Sequence, residues 1–134
     1  MKRILLDTNA YSAMMVGSST ALLDHLRKAG RIYLPVTVLG ELFAGFRVGS
    51  KEQANRKQLR AFMATPPVRV LQTTEETADH FAAIYAQLRE DGNPIPTNDM
   101  WIAAHAMEQG SQLVSYDRHF EVVPGLIHWN PDKG

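Results

Sequence analysis

The chain has 134 residues, 45% of them hydrophobic, which suits one domain over residues 1–134 around a single buried core. Lys+Arg and Asp+Glu balance at 14 each and cysteine is absent, which excludes disulfides, thiol catalysis and cysteine-containing zinc sites and fits a reducing compartment. No apolar run reaches the about 18 residues of a membrane span, and "MKRILLDTN" has only three apolar residues between its charged start and Asp7, so a soluble cytoplasmic protein is expected.

In chain order, "RILLD" is a short apolar run ending in a polar turn, as a buried strand should be. "STALLDHLRKAG" reads as a helix closed by Gly30, and "RIYLP" as a second strand ended by Pro35. Leu39, Leu42, Phe43 and Phe46 recur at helical spacing, so a helix is expected from Thr37 to about Gly49. Ser50 with Gln53 forms a capping box for the next helix, which runs to the Pro66-Pro67 break. "VRVL" makes a third strand. Thr73 with Glu76 is a second capping box, followed by Ala78, Phe81, Ala82, Tyr85 and Leu88 on one helical face up to Gly92. "GNPIPTN" is a loop, and Thr97 can cap a helix that stops at Gly110. "QLVSYD" is a fourth strand and "LIHW" a fifth. Short strands alternating with helices predict an α/β fold with a short, mainly parallel central sheet and helices on both faces.

Three aspartates fall at similar places in that scheme: Asp7 just past the first strand, Asp117 just past the fourth, and Asp99 in the first turn of a helix. Glu41 follows the second strand by about a turn. Ligand sites of open α/β sheets form at the carboxyl ends of the strands, so residues far apart in sequence can meet there. Each acid also has a plain structural use, as a helix cap, a partner of the helix dipole or a surface ion. Gathered together, four carboxylates repel one another and call for a cation. Oxygen ligands without thiolate, and without a His pair at metal-binding spacing, suit Mg²⁺ or Mn²⁺. Hard cations held by carboxylates do phosphoryl chemistry, which points to a nuclease or phosphatase.

"LLDTNAYSA", "GELFAG", "IPTNDMWIAAHA" and "LVSYDRHF", in this order, resemble the successive motifs of PIN domains, in particular of VapC-type ribonuclease toxins. The resemblance spans nearly the whole chain. It implies a PIN-like fold, with Asp7, Glu41, Asp99 and Asp117 as the catalytic acids and Asp7, Asp99 and Asp117 as metal ligands. Thr8, Asn9, Asn98 and Ser115 would be polar partners of those acids or of the substrate; Ser115 stands where such proteins often have Thr, and keeps the hydroxyl. It further implies an endoribonuclease dependent on Mg²⁺ or Mn²⁺, in which a metal-activated water hydrolyses phosphodiester bonds of single-stranded or loop RNA. A homodimer and a cognate antitoxin protein are the implied partners. Two rivals are a catalytically silent PIN-like module that binds RNA or a partner and a related DNA-directed nuclease. A receiver-type domain of flavodoxin-like architecture would need two acids directly after the first strand and a late Lys, neither of which is present.

Charge is unevenly placed. Residues 1–72 carry 11 basic side chains against 4 acidic, and residues 73–134 carry 3 against 10. The basic excess centres on Arg27, Lys28, Arg31, Arg47, Lys51, Arg56, Lys57 and Arg60, and an RNA substrate gives it a use as a backbone guide, with Arg47, Lys51 and Arg56 the first residues to test. His105 lies on the opposite side of its helix from Asp99 and reads as a packed or solvated residue. His119 reads as a surface residue able to meet a phosphate, and Trp101 and Phe120 as packing or a dimer contact, since no row of aromatics accompanies them.

Overall fold

A computed structural model describes residues 2–133. Its elements are β1 (Arg3–Leu6), α1 (Thr8–Val16), α2 (Thr20–Arg27), β2 (Arg31–Pro35), α3 (Val36–Val48), α4 (Glu52–Met63), β3 (Val68–Leu71), α5 (Glu75–Asp91), α6 (Thr97–Gln109), β4 (Gln112–Val114), a 3₁₀ turn (Arg118–Val122) and β5 (His128–Trp129). All strand pairs are parallel, in the order β3-β2-β1-β4-β5. Central β1 sets Ile4 opposite Ile32 on one side and Gln112 on the other. Ile4, Leu5 and Leu6 are completely buried, which explains why this strand reads as an unbroken apolar run and not as an alternation.

From β1 the chain steps outward through β2 to β3, then returns to the far side of β1 to lay down β4 and β5. Right-handed crossovers therefore put α1 to α4 on one face and α5 and α6 on the other. Tyr11 of α1 packs edge-on against Phe62 of α4, with ring centroids 5.6 Å apart, as neighbours on one face should. Because the connections leave β1 and β4 in opposite directions, a crevice opens above the carboxyl ends of these two strands. No helix among the described residues is long and apolar enough to cross a membrane.

Several details differ from the sequence reading. Helix α1 occupies what was expected to be a polar turn: Asp7 is its N-cap, accepting from the Ala10 amide at 2.8 Å, and Gly17 closes it at φ 76°. Only Ala10 and Tyr11 of that helix are buried, too few to write an apolar stripe into the sequence. Helix α5 is capped reciprocally by Thr74 and Thr77 instead of Thr73 and Glu76. Lys51 stands at the N-cap of α4, and Pro96 at that of α6 with Thr97 one residue inside. Strand β4 stops at Val114, which leaves Ser115 to Asp117 free to turn over the crevice.

Gly110 ends α6 at φ 60°, donating to the Met107 carbonyl at 3.2 Å, and a Cβ there would meet nothing within 4 Å. Replacement therefore costs backbone conformation alone. Gly110→Ala should destabilise by about 1 kcal/mol in urea melts, and Gly110→Asn by less, since Asn tolerates the left-handed region; an Ala variant as stable as the parent would contradict this.

Candidate active site

Asp7 leaves the carboxyl end of β1 with both oxygens engaged. Oδ1 caps α1, and Oδ2 accepts from the Ser115 hydroxyl at 2.5 Å. The same hydroxyl oxygen accepts from the Asp117 amide at 2.9 Å, so the fully buried Ser115 ties the end of β1 to the turn that follows β4. His128 of β5 lies 3.0 Å from the Ser115 carbonyl through Nε2, bracing that turn from behind.

Glu41 comes from the second turn of α3 and is gripped from both sides. Thr8 Oγ1 donates to Oε1 and Asn98 Nδ2 to Oε2, each at 2.6 Å. Three elements thus converge on one carboxylate: α1, α3 and the first turn of α6. That first turn also carries Asp99, 8% exposed, whose Oδ2 lies 2.9 Å from His119 Nδ1. The same nitrogen is 3.1 Å from Asp117 Oδ1, and Oδ1 accepts the His119 amide at 2.9 Å. The ligating atoms of Asp99, Asp117 and His119 all lie within 4.8 Å of one another.

The electrostatics reflect this crowding. Burial pushes the Asp7 carboxyl up to about 6; its hydrogen bonds from Ser115 and Ala10 pull the other way, and the charges of Asp117 and Asp99 add to the rise. Burial likewise raises Asp99, opposed by its bond to His119 and reinforced by Asp117 and Glu41. His119 is raised by its bond to Asp99 and by the neighbouring Asp117 charge. The pocket is short of positive charge. Its donors, carboxylate oxygens with one imidazole and no thiolate, fit a divalent cation that takes oxygen ligands.

The profile of the family described as "PIN domain" matches residues 4–126. The chain belongs to the PIN-domain family. Ribonuclease VapC2 of Haemophilus influenzae is 30% identical over 128 residues, covering 94% of this chain and 96% of that protein. Ribonuclease VapC4 of Mycobacterium tuberculosis is 27% identical over 127 residues, covering 94% and 95% respectively. Among solved structures, DNA-bound VapBC of Salmonella typhimurium superposes with a TM-score of 0.86 at 25% identity, over 98% of this chain and 99% of that one.

In this PIN domain the four acids expected from the sequence do meet above the β1–β4 crevice, but in two tiers. Asp99 and Asp117 face each other across His119, whereas Asp7 and Glu41 are held by their own hydrogen bonds just outside that trio. Thr8 and Asn98 both serve Glu41, Ser115 serves Asp7, and Asn9 is exposed in the first turn of α1. His119 is half exposed, as a surface residue should be, and its ring also points at two of the acids, which the sequence reading did not anticipate. The signal was its position two residues past Asp117, inside the turn that Asp117 itself caps. His105 is buried, 2.9 Å from Thr73 Oγ1 through Nε2. Phe120 is 1% exposed, and Trp101 stacks on Phe81 at 4.1 Å; both pack. Of the basic trio, Arg47 and Arg56 share Glu52 at 3.5 and 3.4 Å, Arg56 also lies over the Phe43 ring, and Lys51 is exposed.

Since the folded protein holds the Asp7 proton up to about pH 6 while an unfolded chain loses it near 3.8, stability present below the lower value is lost as pH rises to the upper, by about 3 kcal/mol. Asp7→Asn keeps the shape and the capping oxygen without the charge. In urea melts with EDTA, the variant should exceed the parent in stability at pH 7.5 and approach it at pH 4; no gain at pH 7.5 would rule out an ionisation penalty at Asp7.

Proposed function

We propose that this PIN domain is an endoribonuclease dependent on Mg²⁺ or Mn²⁺, the toxin of a toxin–antitoxin pair, working in the cytoplasm as a homodimer and restrained by a cognate antitoxin. The observation that carries the proposal is the convergence of Asp99 and Asp117 at the β1–β4 switch point, with Asp7 and Glu41 fixed beside them. The names of the relatives as ribonucleases support RNA as substrate, and the VapBC complexes of the same fold support an antitoxin partner.

Asp99 and Asp117 would hold the cation. When bound, it supplies charge neutralisation on the phosphodiester and makes a water more acidic. The chain's own groups do the rest. Glu41 cannot swing away, because Thr8 and Asn98 clamp both of its oxygens, so its remaining lone pairs stand at a fixed place to orient or deprotonate a water. Ser115 holds the Asp7 carboxylate and the Asp117 backbone at constant separation. Asp7 and Asp99 are recessed, 5% and 8% exposed, so a phosphate reaches them only if the strand can be splayed out, which favours unpaired RNA over duplex.

Cleavage of an unpaired RNA oligonucleotide by the purified protein with Mg²⁺ or Mn²⁺, and not of the same sequence as DNA, tests the proposal directly. Asp99→Asn should reduce that cleavage by about 100-fold or more while the protein stays folded; metal-dependent cleavage at near parental rate would remove Asp99 from the site. The guiding role of the basic stretch makes a separate prediction. Neutralising Arg47, Lys51 and Arg56 together should weaken RNA binding and flatten its salt dependence by about 0.7 per lost phosphate contact, with cleavage of saturating substrate much less affected. An unchanged slope assigns these cations to something other than RNA.

A further inference from the structure

The residue that the four-acid scheme leaves without a role is His119. We propose that the His119 imidazole, lying between the Asp99 and Asp117 carboxylates, is a third ligand of the divalent cation and biases the site from Mg²⁺ toward first-row transition dications, for which Mn²⁺ is the probe. The inference rests on the metal-dependent reading above.

Placement is the first argument. The 3₁₀ turn of Arg118–Val122 starts at Asp117, whose side chain caps it by accepting the His119 amide. Phe120, the next residue, is 1% exposed and packs edge-on to His128, so the backbone on either side of His119 is anchored and the ring is presented to the acids. A histidine meant only for solvent contact has no need of such an anchor.

Distance is the second. Adjacent ligands of an octahedral cation at about 2.1 Å stand about 3 Å from one another. Nδ1 of His119 is 2.9 Å from Asp99 Oδ2 and 3.1 Å from Asp117 Oδ1, so the nitrogen already stands at the spacing of a neighbouring corner from each oxygen, and the three ligating groups lie within 4.8 Å of one another. In the metal-free protein Nδ1 faces these oxygens; as a ligand it would offer its lone pair with the ring's single proton on Nε2, a second proton, if carried, passing to solvent.

Chemistry supplies the preference. Mg²⁺ favours oxygen and retains water, whereas the transition dications accept imidazole nitrogen beside carboxylate. An all-carboxylate site has little means of separating Mg²⁺ from Mn²⁺. One nitrogen among oxygens provides it. The competing role for the ring is that of a plug, a cationic group that occupies the place of the metal and is expelled when one binds. The two roles predict opposite effects of removing it.

Metal-free protein is titrated with Mn²⁺ and with Mg²⁺ by calorimetry, and the Mn²⁺ form is examined by electron spin-echo spectroscopy. Expected for the parent are tighter binding of Mn²⁺ than of Mg²⁺ and modulation from a directly bound ¹⁴N. In His119→Ala and His119→Gln the nitrogen signal should vanish and Mn²⁺ affinity fall by about tenfold or more, with Mg²⁺ affinity falling by a smaller factor. The half-exposed ring makes these variants safe for folding, which their melting without metal verifies. A parent that binds Mn²⁺ without ¹⁴N coupling overturns the ligand role and leaves metal dependence standing, as does a variant in which both affinities rise together, the mark of a plug. Failure of the parent to bind either cation overturns the ligand role and the metal-dependent reading at once.

Discussion

The hydrogen bond from Ser115 to Asp7 joins two parts of the chain 108 positions apart, and the geometry of the crevice depends on it. Strands β1 and β4 are neighbours whose connections diverge, and although backbone bonds hold Asp7 to Val114 and Ser115 to Trp129, the sheet does not fix the acidic side chains above their carboxyl ends. The serine does so by acting in both directions, donating to Asp7 and accepting from the Asp117 amide. With that oxygen in place, Asp117 is set, the 3₁₀ turn it caps is set, and His119 is set in turn. Any replacement that lacks the hydroxyl leaves a buried carboxylate oxygen and a backbone amide searching for partners together, the costliest kind of loss in a desolvated place.

Burial and hydrogen bonding compete openly at Asp7. Two good donors favour its ionised form, yet desolvation outweighs them and the neighbouring acids add to the imbalance. A residue chosen only to cap a helix would sit near solvent, where the cap comes at no such electrostatic cost. The arrangement makes sense when the missing positive charge arrives from outside. Glu41 is handled differently: half-buried and clamped by Thr8 and Asn98, it is kept in position by partners that are themselves neutral. The pocket therefore contains one strained acid at its base and one immobilised acid at its rim.

The parallel sheet, most helices and the meeting of the four acids were legible because each leaves a local mark: buried strands as short apolar runs, helices as stripes, acids just beyond strand ends. Helix α1 was not, because only Ala10 and Tyr11 of it are buried and its one strong signal, Asp7, could be read either as a cap or as an acid of a metal site. The exact caps of α4, α5 and α6 slipped by a residue or so where several Ser, Thr and Pro residues compete. The direction of the His119 ring was not legible, because a side chain's direction in a short turn depends on what anchors the next residue. The burial of Phe120 is a tertiary fact with no periodicity to announce it.

The site is assembled from residues far apart in the sequence. Ser115, Asp117, His119 and the bracing His128 follow Asp7 by 108 positions or more. On the ribosome, β1, β2 and β3 emerge well before the hydroxyl that fixes Asp7. Until β4 and the turn after it are in place, Asp7 and Glu41 have an incomplete set of neighbours. Order of synthesis thus sets the order in which the acids gain their partners.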